Sequence, residues 1–166
     1  MKLFTLIIGV FIAFNAIASI GPKGHSTVMK VDGTADANSL EKEFINVINN
    51  EGSSIPAGAV VSLDASVDDG ASVIIDTTAG LMPLCIMVNA CADNALCLCQ
   101  TYGLFDSALF HSGGGTATAG KPFYLSTRTA GYIEHKAAPA ATDYKGGVFY
   151  DASSSSGAVQ VFINMK

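Results

Sequence analysis

Four cysteines, at positions 85, 91, 97 and 99, carry the widest chemistry in this chain, and they crowd into one stretch, Leu81–His111. Their spacing, C-x5-C-x5-C-x-C, matches no zinc pattern. No histidine stands close enough in sequence to complete a tetrahedral set, so no metal is expected. An even number of cysteines permits disulfides in an oxidising compartment. Cys97 and Cys99 make poor partners for each other, since an extended strand holds same-face neighbours about 7 Å apart. Packing chemistry favours four buried, reduced thiols acting as small hydrophobes.

The remaining reactive groups point to turns. His111-Ser112-Gly113-Gly114-Gly115 sets an imidazole beside a hydroxyl and glycine amides, but a nucleophile elbow needs G-x-S-x-G between strand and helix. A glycine-rich surface loop is the expectation. Gly120-Lys121 is followed by Pro122 where a phosphate loop has Ser or Thr. Asp64, Asp68, Asp69 and Asp76 surround one expected hairpin without the spacing of a calcium loop, and are read as turn formers. His25 and His135 have no partner in sequence. The chain is therefore expected to be no enzyme, with no catalytic, cofactor-binding or metal-binding residues.

The element that holds the cysteines reads as a β-hairpin. Two apolar runs, Leu84–Ala90 and Ala95–Tyr102, flank the turn residues Asp93-Asn94. Neither run alternates cleanly, because Cys85, Met87, Cys97 and Cys99 on one face are nearly as apolar as Ile86, Val88, Leu96 and Leu98 on the other. Both faces should then be covered. A domain this small rarely covers both itself, so Leu84, Ile86, Val88, Leu96 and Leu98 are the expected oligomer interface.

Around the hairpin, short runs rich in β-branched and aromatic residues alternate with turn signals. Strands are expected at Leu40–Asn50, Ala59–Asp64, Ala71–Asp76, the two hairpin arms, Phe105–His111, Pro122–Thr127, Tyr132–His135, Gly147–Asp151 and Ala158–Asn164. That series predicts an all-β fold, a compact sandwich or barrel of short antiparallel strands, spanning 43–166. Residues 21–42 are polar and rich in small residues, as in an extended arm. Residues 1–20 have Lys2, an apolar run and Ala16-Ile17-Ala18, the parts of a secretory signal peptide or of a retained arm or anchor. As a helix the run Leu3–Ile20 would be about 27 Å long, so membrane contact is expected only if it is retained as an anchor. At 166 residues the chain suits one domain. A net charge of −5, with Lys121, Arg128, Lys136 and Lys145 scattered, argues against nucleic acid as a partner.

The order of turn motifs also resembles a family. Ile55-Pro56-Ala57-Gly58-Ala59-Val60-Val61-Ser62-Leu63-Asp64, the Leu84–Asn89 run and Gln100-Thr101-Tyr102-Gly103 carry the resemblance in the first half. Thr118-Ala119-Gly120-Lys121-Pro122-Phe123-Tyr124-Leu125-Ser126, Ala130-Gly131-Tyr132-Ile133 and Gly146-Gly147-Val148-Phe149 carry it in the second. Together, over roughly Glu43–Lys166, they resemble the head decoration, or capsid cement, proteins of tailed phages. The resemblance implies a compact β domain bound to the outside of an assembled shell, commonly as a homotrimer, with the major capsid protein as partner. The leader departs from that pattern, because phage head proteins need no export signal. The alternative expectation is an exported cell-surface or periplasmic protein, an adhesin or filament subunit, with a cleaved signal peptide.

Overall fold

The computed structural model describes residues 42–67, 69–77 and 81–165. The leader at 1–20 and all but the last residue of the arm at 21–42 lie outside the described residues. The chain from Glu43 onward is nearly all β, as the punctuation predicts. Its strands are β1 (Glu43–Asn49), β2 (Val60–Leu63), β3 (Ser72–Ile74), β4 (Cys85–Met87), β5 (Leu96–Phe110), β6 (Pro122–Leu125), β7 (Ile133–Glu134), β8 (Lys145–Phe149) and β9 (Gly157–Asn164). A single 3-10 turn at Ser112–Gly114 is the one helical element among the described residues.

The strand order is β1-β3-β2-β4-β5-β7-β6-β8-β9, and both β1 and β9 also pair with β5. These extra pairings close the sheet into two rings that share β5. One ring is β1-β3-β2-β4-β5 and the other is β5-β7-β6-β8-β9. Each has its own core. Val47, Val61, Val73, Met87 and the cysteines fill the first, and Phe105, Phe110, Phe123, Phe149, Val161 and Ile163 fill the second. Alternation is plain in β9, where Val159, Val161 and Ile163 are buried while Gln160 and Phe162 are half-buried.

Two expectations need correcting. Ala95–Tyr102 and Phe105–His111 are not separate strands: β5 runs unbroken for 15 residues. Gly103, which reads as a break, takes φ +97° inside the strand, a conformation open to glycine. Gln100 is buried there and its Nε2 donates to Tyr102 O at 2.9 Å and Leu104 O at 3.1 Å, satisfying carbonyls that the bend exposes. Nor are all the pairings antiparallel, because β1–β3 and β5–β7 are parallel.

The rings are locked together at a bulge. The register of β5 against β9 shifts between Phe105 and Ala108, leaving Asp106 and Ser107 exposed. The backbone just after the bulge docks on the turn before β2, which is held in turn by β4. Leu109 N donates to Gly58 O at 2.9 Å, and Gly58 N donates to Met87 O at 2.9 Å. A Cβ on Gly58 would lie 2.1 Å from Ser107 O, so only glycine permits the contact.

Gly52 and Gly58 share nearly the same positive φ, +77° and +79°, yet nothing lies within 4 Å of a Cβ placed on Gly52. Both Ala substitutions pay the left-handed strain of about 1–2 kcal/mol. Gly58→Ala carries the backbone clash as well and should cost about 2 kcal/mol more than Gly52→Ala, read from urea midpoints. Equal costs would show that the bulge does not bind the rings together.

Candidate interaction surface

The cysteines are not free thiols. Cys85 pairs with Cys99 and Cys91 with Cys97, with Cα–Cα distances of 5.7 and 5.9 Å, and no cysteine is free. The expectation of reduced thiols failed because it weighed neighbours along one strand and not pairs across the hairpin. Met87 stands opposite Cys99, which puts Cys85 on the diagonal to Cys99 on the same inward face. The cystine at 85–99, with a sequence separation of 14, removes loop-closure entropy worth about 3 kcal/mol from the unfolded chain.

Asn49 organises the turn that carries the second cystine. It is fully buried at the end of β1, and its Nδ2 donates to Cys91 O at 2.9 Å and Ser53 O at 2.7 Å while its Oδ1 accepts from Glu51 N. Its backbone O accepts from Asn94 N at 2.8 Å. Asp93 accepts from Gly52 N at 2.9 Å through Oδ1, and Asn94 holds φ +57°, as the tip of a tight turn requires.

The five residues expected to form an oligomer interface do not share one surface. Ile86 is fully buried and belongs to the core of the second ring, and half-buried Val88 packs against that same core. Half-buried Leu84 packs on the first core. The cover expected from a neighbouring subunit is supplied on β4 by the second ring of the same chain, which removes Ile86 from any outer face. Burying Ile86 this way contributes about 1.5–3 kcal/mol to folding.

Leu96 and Leu98 are different. They are 60% and 36% exposed at the start of β5, where no second-ring strand reaches them. On β1, Ile48 stands opposite Leu96 and Asn46 opposite Leu98, with half-buried Phe44 one step further along the same face. The result is a mostly apolar strip across β1 and β5 with Asn46 in its middle. Phe44 and Ile48 were missed as surface residues, although the alternation Phe44, Asn46, Ile48 against buried Val47 and Asn49 is the signal that would have found them.

The polar clusters are committed to structure. His111 Nδ1 accepts from Gly113 N at 3.1 Å, while the Ser112 hydroxyl faces Ser156 Oγ at 3.1 Å, so the imidazole and hydroxyl are not joined. Half-buried His135 directly follows β7, and His25 lies outside the described residues. Buried Glu134 binds Arg128 at 2.9 Å and Ser126 Oγ at 3.1 Å, with Lys136 at 3.8 Å; Lys136 binds Asp143 at 2.6 Å. Arg128, Glu134, Lys136 and Asp143 line an open cleft of about 320 Å³, where the two cations and two carboxylates cancel. Asp64 accepts from Ser66 and Asn50, and Asp69 accepts from Ala71 and Ser72, so both carboxylates serve turns. Asp68 lies outside the described residues. No group of three metal-ligating side chains occurs among the described residues, and no helix there is long and apolar enough to cross a membrane.

No protein-family model matches this chain, and no curated protein matches it.

Three carboxylates are held below their ordinary pKa by their partners. The Ser66 hydroxyl, then Asn50 and the Ser66 amide, hold Asp64 below its ordinary 3.8, and the Ser72 hydroxyl and the Ala71 and Ser72 amides do so for Asp69. At Asp143 burial pushes upward, but the Lys136 hydrogen bond, the Ala140 amide and the Lys136 charge outweigh it and the net shift is down. Each folded pKa lies below the unfolded one, so the unfolded chain binds more protons as pH falls toward 3.8 and below. Their contribution is complete well above 3.8 and is lost as pH falls through the folded values. Urea midpoints should therefore fall below about pH 4, and Asp69→Asn should lessen that fall. An unchanged acid slope in Asp69→Asn would refute the assignment for that residue.

Proposed function

We propose that this chain is a non-enzymatic structural subunit that docks through the Phe44, Ile48, Leu96 and Leu98 strip, in the first place as a decoration protein on the outside of a tailed-phage capsid. The observation that carries the reading is that exposed Leu96 and Leu98 stand across from Ile48 and Asn46, beside Phe44, on one face of the β1–β5 ladder, whereas the other exposed large apolar residues, Leu63, Met82, Tyr144 and Tyr150, lie outside that strip. Both rings of strands are closed by pairing, so neither offers a long free edge for strand addition. What remains for assembly is packing of side chains, and an apolar strip is the means. The order of turn motifs supports the capsid setting, with the major capsid protein as partner and a homotrimer as the assembled form.

One observation favours a second reading. Two disulfides in a chain with an apolar, signal-like leader suit an exported protein of the cell surface or periplasm, where disulfides persist. Intact mass of the native protein divides the two readings: loss of the first 18 or so residues supports export, and their retention supports a virion arm.

The strip itself is tested by charge. Leu96→Lys and Leu98→Lys should keep a cooperative unfolding transition and lower the mass measured by light scattering to that of one chain. Ile86→Lys, which places a charge between the rings, should abolish folding instead. A parent protein that is one chain at working concentration, and that binds assembled shells equally well with or without Leu98→Lys, would sink the proposal.

A further inference from the structure

We propose that Cys91–Cys97 is a site of thiol–disulfide exchange with small external thiols, a reversible clip on an already folded domain, whereas Cys85–Cys99 is a permanent staple. The two cystines differ first in access. Cys85, Cys91 and Cys99 are fully buried, and Cys97 alone is half-buried. Cys97 is the one cysteine residue that reaches the surface, so its Sγ is where a thiolate meets the least cover.

They differ also in what happens when the bond opens. The turn between Cys91 and Cys97 does not depend on the cystine for its shape. Cys91 N and O both bond to Ile55, Asn49 holds Cys91 O from its side chain, and Asn49 N donates to Ala95 O at 3.1 Å. Cys97 is held by its place opposite Val47 in the β1–β5 ladder. The sulfurs already have carbonyl oxygens within reach of an S–H donor: Cys91 Sγ lies 3.5 Å from Ala95 O and 3.6 Å from Ala92 O, and Cys97 Sγ lies 3.8 Å from Ala95 O. When reduction parts the sulfurs beyond bonding distance, these carbonyls are the nearby acceptors for the new S–H groups.

The exchange balances as follows. The thiolate of a small thiol attacks Cys97 Sγ, the bond to Cys91 breaks, and the Cys91 thiolate takes a proton from solvent. A second small thiolate attacks the external sulfur of the mixed disulfide and releases Cys97 as a thiol. Two small thiols are oxidised to one small disulfide, and the cystine is reduced to two thiols. The reverse, with a small disulfide as oxidant, closes the clip on a folded chain whose Cys91 and Cys97 are reduced. Because Cys97 lies between Leu96 and Leu98, closure tightens the strand that carries the exposed strip. The exchange itself holds whatever the strip docks to.

The test treats the oxidised full chain, without denaturant, with increasing reduced glutathione, followed by acid quench, alkylation and mapping by fragment mass. The expected product carries two alkyl groups, on Cys91 and Cys97, formed roughly tenfold faster or more than labelling at Cys85 and Cys99. The double variant Cys91→Ser/Cys97→Ser should still unfold cooperatively and take up no label under the conditions that open the parent's clip. The proposal is overturned if Cys85–Cys99 opens first, if no pair opens until denaturant is added, or if the double variant is unfolded.

Discussion

Everything in this fold depends on one strand serving two rings. The first half of β5 pairs with β1 and β4, and the second half with β9 and β7. A straight strand would hold both rings in one flat sheet and leave their inner faces open. Gly103 at positive φ and the bulge at Asp106-Ser107 change the direction and twist of the strand between the halves. The inward set passes from Cys97 and Cys99 to Phe105, and after the bulge to Ala108 and Phe110. The extra residue at the bulge shifts the side-chain phase, so that Phe105 and Phe110 both reach the second core.

That arrangement explains why the hairpin is apolar on both faces: at Ile86 the second face is covered from within the chain. Val60 and Ile86 point out of the first ring but belong to the core of the second. They act as the mortar between two small cores, neither of which would bury enough surface alone. The first ring holds both cystines, and one of them ties the three-residue strand β4 to β5. Covalent ties there underpin a small core by lowering the entropy of the unfolded chain.

Strand positions were legible because each is a β-branched or aromatic run between Gly, Pro or Asn signals, and β2, β6 and β9 fall where Val60-Val61, Phe123-Tyr124 and Val159-Gln160-Val161 place them. The join at Gly103 was not legible, since a glycine that bends a strand and a glycine that ends one look the same in sequence. The cystine pairing needed the cross-strand register, which periodicity alone does not supply. The split between buried Ile86 and exposed Leu96 was also hidden. Both are aliphatic residues on the outer face of the same hairpin, and only the path of the second ring decides which one is covered.

The strip left over is not uniformly greasy, and its one polar member bears on how it could be used. Asn46 stands beside Leu98 and is exposed, with apolar neighbours along both strands. A flat apolar surface would tolerate many partners and many registers, because dispersion and burial are not directional. Covering Asn46 without a donor and acceptor facing it would cost about 1–3 kcal/mol, a penalty that falls on every misplaced partner and spares one that answers the amide. In the proposed docking the aliphatic residues would supply the drive to associate and Asn46 would restrict the register. Such a division suits a subunit that must sit in one orientation on a repeating surface better than one that only avoids water.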